Sequence, residues 1–315
     1  LTAIDPYGHE LWRWTFPVNK LNQQTEQLSP LSSRPTYTET ENDLTVKANK
    51  RTFIFSKKDG QLKGVSVDNR KISFANGPRF IGARRADRSL DQFYNHDDEK
   101  AKEKDRTYSE FPDAAVFTKL DVKEDGGNLV VTANYKLGNL DKAQWTINPS
   151  GELALDYTYN FSGVVDLMGI RFDYPEDQVI SKRWLGAGPY RVWQNRIHGT
   201  QYDVWENDYN DPIPGETFTY PEFKGYFGNV SWMNIQTKEG TISLTNETPD
   251  AYIGVYQPRD GRDRLLYTLP KSGISVLNVI PPVRNKVNST DLCGPSSQPK
   301  WVNGPQTGRV IFRFM

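Results

Sequence analysis

Cysteine is nearly absent: Cys293 is the single one in 315 residues, which excludes an internal disulfide and any site built from several thiolates. Histidine is scarce as well. His9, His96 and His198 lie far apart, in no H-x-x-x-H spacing, so no zinc centre and no metal site are expected. Net charge is missing too, since Lys+Arg and Asp+Glu both total 39. A neutral chain without a basic block argues against nucleic acid or an anionic membrane as a partner. No apolar run approaches the roughly 20 residues that cross a bilayer. No apolar stripe of helical period extends beyond two turns, and no Walker loop, G-x-S-x-G elbow or dinucleotide fingerprint occurs, so no cofactor is expected.

What the chain has is strand signal. Arg51–Ser56 alternates apolar and polar residues, and the Asp59-Gly60 turn leads into Gln61–Val67. Leu129–Leu137, Ala143–Ile147, Glu152–Tyr159, Gly169–Tyr174, Asn229–Gln236, Thr241–Asn246, Ala251–Tyr256 and Arg309–Phe314 read as further strands. Short strands separated by Gly, Pro, Asn and Asp turns predict an all-β, antiparallel two-sheet sandwich with helix below about 10%. Aromatics reach 12%, with 16 Tyr and 8 Trp. Their flat faces suit either pyranose rings or a sandwich core. Asp97–Arg106 is a mixed-charge run that reads as solvated, and Val18–Thr36 has linker composition.

The densest stretch is Lys182–Arg196, K-R-W-L-G-A-G-P-Y-R-V-W-Q-N-R. Gly186 and Gly188 permit sharp turns or close backbone approach, and Pro189 stiffens the exit. Trp184, Tyr190 and Trp193 offer flat faces, and Arg183, Arg191 and Arg196 offer forked donors. Taken as residue types, it is a rigid loop between two strands. Its order resembles the W-x-G-x-G-P-x-E-N-Y-x-D-R signature of the C-terminal β-domain of family 2 β-galactosidases. Trp184, Gly186, Gly188, Pro189 and Arg196 match, while Arg191, Val192, Trp193 and Asn195 replace Glu, Asn, Tyr and Asp. Lys50–Val67 resembles the opening hairpin of that domain, and Arg85-Ala86 its R-A-P motif, broken by Asp87 and Arg88. Tyr220–Gly225 with Val230-Ser231-Trp232, and Cys293-Gly294-Pro295 with Trp301, resemble its later landmarks in order.

The resemblance implies a large supersandwich of galactose mutarotase type over residues 43–315. Residues 1–17 would be a remnant of a preceding β-sandwich and residues 18–42 a linker. The chain opens on Leu1 and is expected to be cut from a longer polypeptide. The implied partners are a β-galactoside-like carbohydrate and a catalytic barrel in the same polypeptide, where two carboxylates would do the hydrolysis. Here Glu206, Asp208, Asp211, Glu216 and Glu222 read as solvated turn residues, so no catalytic residue is assigned and the chain alone is expected to be inactive. Trp301, Trp193, Tyr190 and Arg191 are the expected sugar contacts. Trp301 would be either an aromatic platform or a packing residue. Gly186, Gly188, Pro189 and Arg196 are expected to be structural, with Arg196 anchoring the loop through charge-assisted hydrogen bonds. The alternatives are a stand-alone carbohydrate-binding module and an aldose 1-epimerase, the latter needing a His pair with a Glu. A bacterial periplasmic or secreted location fits the composition.

Overall fold

A computed structural model describes residues 1–18, 33–85, 108–208, 225–255, 273–282 and 294–315. The strands, in chain order, are β1 (Thr2–Ile4), β2 (Glu10–Arg13), β3 (Thr36–Glu39), β4 (Asp43–Ala48), β5 (Arg51–Ser56), β6 (Leu62–Val67) and β7 (Arg70–Ile72). They continue as β8 (Ala75–Arg85), β9 (Tyr108–Glu110), β10 (Val116–Asp125), β11 (Asn128–Lys136), β12 (Leu140–Ile147), β13 (Leu153–Val165) and β14 (Leu167–Asp173). The last are β15 (Val179–Gly188), β16 (Gln201–Asn207), β17 (Trp232–Thr237), β18 (Gly240–Asn246), β19 (Tyr252–Val255), β20 (Ile274–Val279) and β21 (Lys300–Phe314). Among the described residues there is no α-helix, only two one-turn 3-10 segments, Glu176–Gln178 and Pro295–Ser297.

Two large antiparallel sheets form, so the chain is the all-β two-sheet sandwich that the alternation predicts. The first has nine strands in the order β10-β11-β12-β13-β21-β18-β17-β15-β16. The second has ten, running β19-β20-β14-β8-β6-β5-β4-β3, with β7 and β9 paired at its flanks. Its outermost strand, Thr36–Glu39, lies upstream of Asp43, inside the segment read as a linker. The β1–β2 hairpin is a separate two-stranded sheet, tied to β16 where the Tyr202 amide donates to Thr15 Oγ1 at 2.6 Å.

Period-two alternation decides which side chains fill the space between the sheets. In β12, Leu140, Ala143, Trp145 and Ile147 are buried while Lys142 and Gln144 face outward; in β13, Leu153, Leu155, Tyr157 and Tyr159 are buried. Aromatic rings from the two sheets interlock. Phe74 lies 4.6 Å from Phe172 and 5.0 Å from Phe312, and Phe55 tilts against Trp145 at 5.9 Å. A carboxylate also links the sheets: Glu239, at the β17–β18 turn, accepts from the Ser73 amide at 2.9 Å, Ser73 Oγ at 2.6 Å and Tyr174 Oη at 3.1 Å.

Candidate functional site: the β15 exit and the turn before β21

The first half of the Lys182–Arg196 stretch is strand, which corrects its reading as a loop. Lys182–Gly188 pairs with β16 on one side, and Lys182–Leu185 with β17 on the other. The glycines act by close approach. A Cβ at Gly186 would lie 3.0 Å from Val230 Cα and 3.1 Å from the carbonyl oxygens of Gly228 and Asn229, and one at Gly188 would intrude on the Trp205 ring. Trp184 is a core residue, 1% exposed. Its Nε1 donates to the Ala187 carbonyl at 3.0 Å, and its ring meets Phe227 edge-on at 4.8 Å.

After the Gly188–Pro189 peptide, which is cis, the chain folds over the outer side of the second sheet. Val192 and Tyr226 exchange backbone hydrogen bonds of 2.7 and 2.9 Å. Together with Trp193 they cover Ile81, Leu167 and Leu277, forming a second, smaller apolar cluster. Trp193 is 2% exposed and packs edge-on against Tyr226 at 5.5 Å. Gly225, at φ +147°, passes so close that a Cβ there would be 2.9 Å from Trp193 Nε1. Trp193 therefore presents no ring face to a sugar, contrary to expectation. Its indole is consumed by packing. Arg191 is half-buried, its guanidinium 5.2 Å from the centre of the Phe227 ring. Tyr190 stands out at 69% exposure.

Arg196 is not the anchor. Its side chain is exposed, and among the described residues it makes no hydrogen bond or ion pair; only its backbone is engaged, the amide donating to the Trp193 carbonyl at 2.8 Å and the carbonyl accepting from the Trp193 amide at 3.3 Å. The anchor is Gln194, which the sequence reading passed over. Gln194 is buried, and its Nε2 donates to the carbonyls of Ser296 at 2.9 Å and Gln298 at 2.7 Å, while its amide donates to Pro281 at 3.0 Å. Asn195 Nδ2 adds a bond to Ser297 Oγ at 3.1 Å. These contacts lock the exit of β15 onto the 3-10 turn that leads into β21. A neutral amide gives no motif of its own in a sequence. The cue was its place, between a buried tryptophan and a turn residue.

Replacing Arg196 with methionine is accordingly expected to leave the urea midpoint nearly unchanged, within about 0.5 kcal/mol for an exposed site. A loss above about 1 kcal/mol would restore an anchoring role for its charge.

Trp301 is the second residue of β21, opposite Val164 of β13, and it is 71% exposed. Its ring is therefore not buried among the described residues of this chain. It sits three residues past Gln298, so the Gln194 clamp fixes the approach to it. His9 and His198 are exposed, and among the described residues no group of His, Cys, Asp and Glu is placed to hold a metal ion. Glu206 and Asp208 are exposed at the end of β16. His96, Asp97–Arg106, Asp211, Glu216, Tyr220–Lys224 and Cys293 lie outside the described residues.

The sequence profile described as beta galactosidase small chain matches residues 47–292. The chain belongs to the β-galactosidase small-chain family. The matched span includes the whole Lys182–Arg196 stretch and stops short of the turn at Pro295–Ser297 and of Trp301. No curated protein matches the chain. Solved structures that resemble this family member include a galactose 1-epimerase from Lactobacillus acidophilus NCFM, with 10% identity over 90% of this chain and 99% of that one and a TM-score of 0.47. Another is a GalM/aldose epimerase homologue from C. elegans, with 9% identity over 89% of this chain and 99% of that one and a TM-score of 0.39. Among the described residues no helix is long and apolar enough to cross a membrane.

Proposed function

We propose that the chain is the non-catalytic C-terminal domain of a family 2 glycoside hydrolase of β-galactosidase type. In this reading it holds the multidomain enzyme together and completes a sugar subsite on a neighbouring catalytic barrel. The observation that carries the reading is Trp301, a large indole left 71% exposed at the start of the longest strand. Exposure of that much apolar ring to water is unfavourable unless something covers it, and a pyranose offers a matching apolar face. The approach to Trp301 is held by Gln194 and Asn195, which reduces the entropy lost when a ligand docks.

The N-terminal hairpin supports the same organisation. Leu11 and Phe16 are 64% and 66% exposed, and Trp12 and Trp14 are also open. An isolated two-stranded hairpin is marginal in water. We therefore take residues 1–17 as strands belonging to a preceding domain, with a connection from residue 18 that ends before Thr36, because β3 already belongs to the second sheet and the domain proper begins with it rather than at Asp43.

In the intact enzyme, Trp301→Ala is expected to weaken substrate affinity by about 1–3 kcal/mol, the apolar area of one stacked ring at roughly 25 cal/mol per Å². The melting temperature should stay close to the parent's, because an exposed residue contributes little to folding. Steady-state kinetics and a thermal melt on the same variant decide the matter; an unchanged KM with an unchanged melt would end the platform reading. A mutarotation assay on the chain separates this reading from an aldose 1-epimerase, which would turn over free galactose.

A further inference from the structure

The outward face of the nine-stranded sheet carries an arrangement that neither the signature stretch nor Trp301 uses. Cross-strand register lays two polar rows over β12, β13 and β21: Lys142, Thr158 and Thr307 in one, Gln144, Asp156 and Arg309 in the next. Period-two alternation points these side chains away from the core, which takes their neighbours Ala143, Trp145, Tyr157 and Val310. In the second row the charges are already matched. Arg309 sets Nη1 against one oxygen of Asp156 at 2.5 Å and Nε against one oxygen of Glu247 at 3.0 Å. The guanidinium is thus a structural tie, and among the described residues the second oxygen of each carboxylate has no partner. The side chains of Lys142, Gln144, Thr158 and Thr307 make no hydrogen bond there either.

A wall beside these rows turns the face into a pocket. Residues 247–249, after β18, are held to β21 by Thr248, whose Oγ1 accepts from the Arg309 amide at 2.9 Å and donates to the Arg309 carbonyl at 3.0 Å. Asn246 fastens the same turn from behind: its Oδ1 accepts from the Thr248 amide at 3.1 Å, and its Nδ2 donates to the carbonyls of Thr248 at 3.2 Å and Val230 at 3.1 Å. The pocket between wall and sheet measures about 340 Å³, within the roughly 300–1,000 Å³ typical of small-molecule sites. Its formal charges cancel, Lys142 and Arg309 against Asp156 and Glu247. The groups left over are mixed: an ammonium that only donates, two carboxylate oxygens that only accept, and an amide and two hydroxyls that do both. A carboxylate or phosphate could use the donors alone, and an ammonium the acceptors alone. Neighbouring sugar hydroxyls use both, because each donates and accepts. With the wall already fixed, little ordering remains to oppose binding.

We propose that this pocket binds one neutral hexopyranose unit, with Gln144 and Thr158 on adjacent hydroxyls, Lys142 and Thr307 at the rim, and the second oxygens of Asp156 and Glu247 accepting from further hydroxyls. The site lies roughly 20 Å along β21 from Trp301 and does not depend on the proposed function. An NMR titration of the isotopically labelled chain with methyl β-galactopyranoside, galacturonate and glucosamine tests it. The galactoside is expected to shift the side-chain amide signal of Gln144, identified by its loss in Gln144→Ala. Galacturonate and glucosamine should bind no more tightly, since the lining carries no net charge. Thr158→Val suits a strand and removes only the hydroxyl, so it should melt with the parent and weaken the galactoside roughly three- to tenfold, the loss of one or two hydrogen bonds. Gln144→Ala should weaken it to a similar degree. Trp301→Ala should leave the affinity of this pocket unchanged, so failure here and failure of the subsite reading are separable. The proposal is overturned if the galactoside leaves the Gln144 signal in place, if either charged sugar binds more tightly, if Thr158→Val and Gln144→Ala both keep the parent's affinity, or if Trp301→Ala abolishes the shift.

Discussion

Raising the pH from 10 to 12 is expected to unfold the sandwich cooperatively. The cause is a set of tyrosines whose hydroxyls are buried on or beside the inner faces of the sheets. Burial pushes Tyr157 up to about 12, and it also raises Tyr135, Tyr159 and Tyr174. In the unfolded chain each would titrate near 10. Between those values the unfolded state holds fewer protons than the native one, so stability falls as pH rises. Stability is complete below about pH 10, the unfolded value, and is lost as pH climbs toward the native values. At about 1.4 kcal/mol per unit, Tyr157 alone accounts for roughly 2–3 kcal/mol across that window. A native protein has only about 5–15 kcal/mol in total, so a few such groups suffice. Tyrosinate absorbance and the β-sheet circular dichroism signal should therefore change together, with the exposed tyrosines titrating first. If all sixteen tyrosines ionise smoothly near pH 10 while the sheet signal stays intact, the buried hydroxyls are not where the fold puts them. Tyr157→Phe removes one titrating group and should move the transition to higher pH.

The sandwich was legible because its inward residues repeat at period two. Arg51–Ser56 is β5 to the residue, and the expected strands around Leu129, Ala143, Glu152, Gly169 and Thr241 all form. Where the reading fell short, the missing information was three-dimensional. β21 was expected only over Arg309–Phe314 and runs from Lys300. Pro305, Gly304 and Gly308 conceal the first part, since proline is excluded from strands that donate on both sides. Here only residues 310–314 of β21 face β18, and Pro305 pairs with β13 alone, so no ladder bond is lost on the other side. The glycines at 186 and 188 suggested a loop, but they permit a strand to lie against the Gly228–Val230 backbone and the Trp205 ring. That strand, β15, lies between β16, the next strand in the chain, and the more distant β17.

Less of the candidate site was legible, because its residues were chosen by chemical type. Trp301 stood out because a bulky aromatic follows a Gly, Pro and Ser turn, and it is 71% exposed. Arg196 and Trp193 drew attention through chemistry that their positions do not use. Charge and aromaticity describe what a side chain can do; burial decides what it does. Gln194, a neutral residue without a motif, makes the contacts that join the two halves of the site.

Trp193→Ala is expected to cost about 3–5 kcal/mol of folding stability, the range for emptying a buried tryptophan site in a close-packed cluster. The indole contacts Tyr226 and lies among Ile81, Leu167, Leu277 and Ile280, all nearly inaccessible to solvent. The surrounding sheet cannot collapse into the space, because Ile81, Leu167 and Leu277 belong to the paired strands β8, β14 and β20. The loss should spread to the adjacent residue, since Gln194 depends on the same backbone turn to reach Ser296 and Gln298. Trp193→Phe keeps an aromatic edge toward Tyr226 and should recover part of the loss, as a smaller cavity costs less. A residue that served only to stack on sugar would behave in the opposite way, melting normally while binding poorly. Urea unfolding of both variants distinguishes the two cases: an unchanged midpoint for Trp193→Ala would mean that this indole is not part of the packed cluster, and the sugar contact first expected of it would have to be restored.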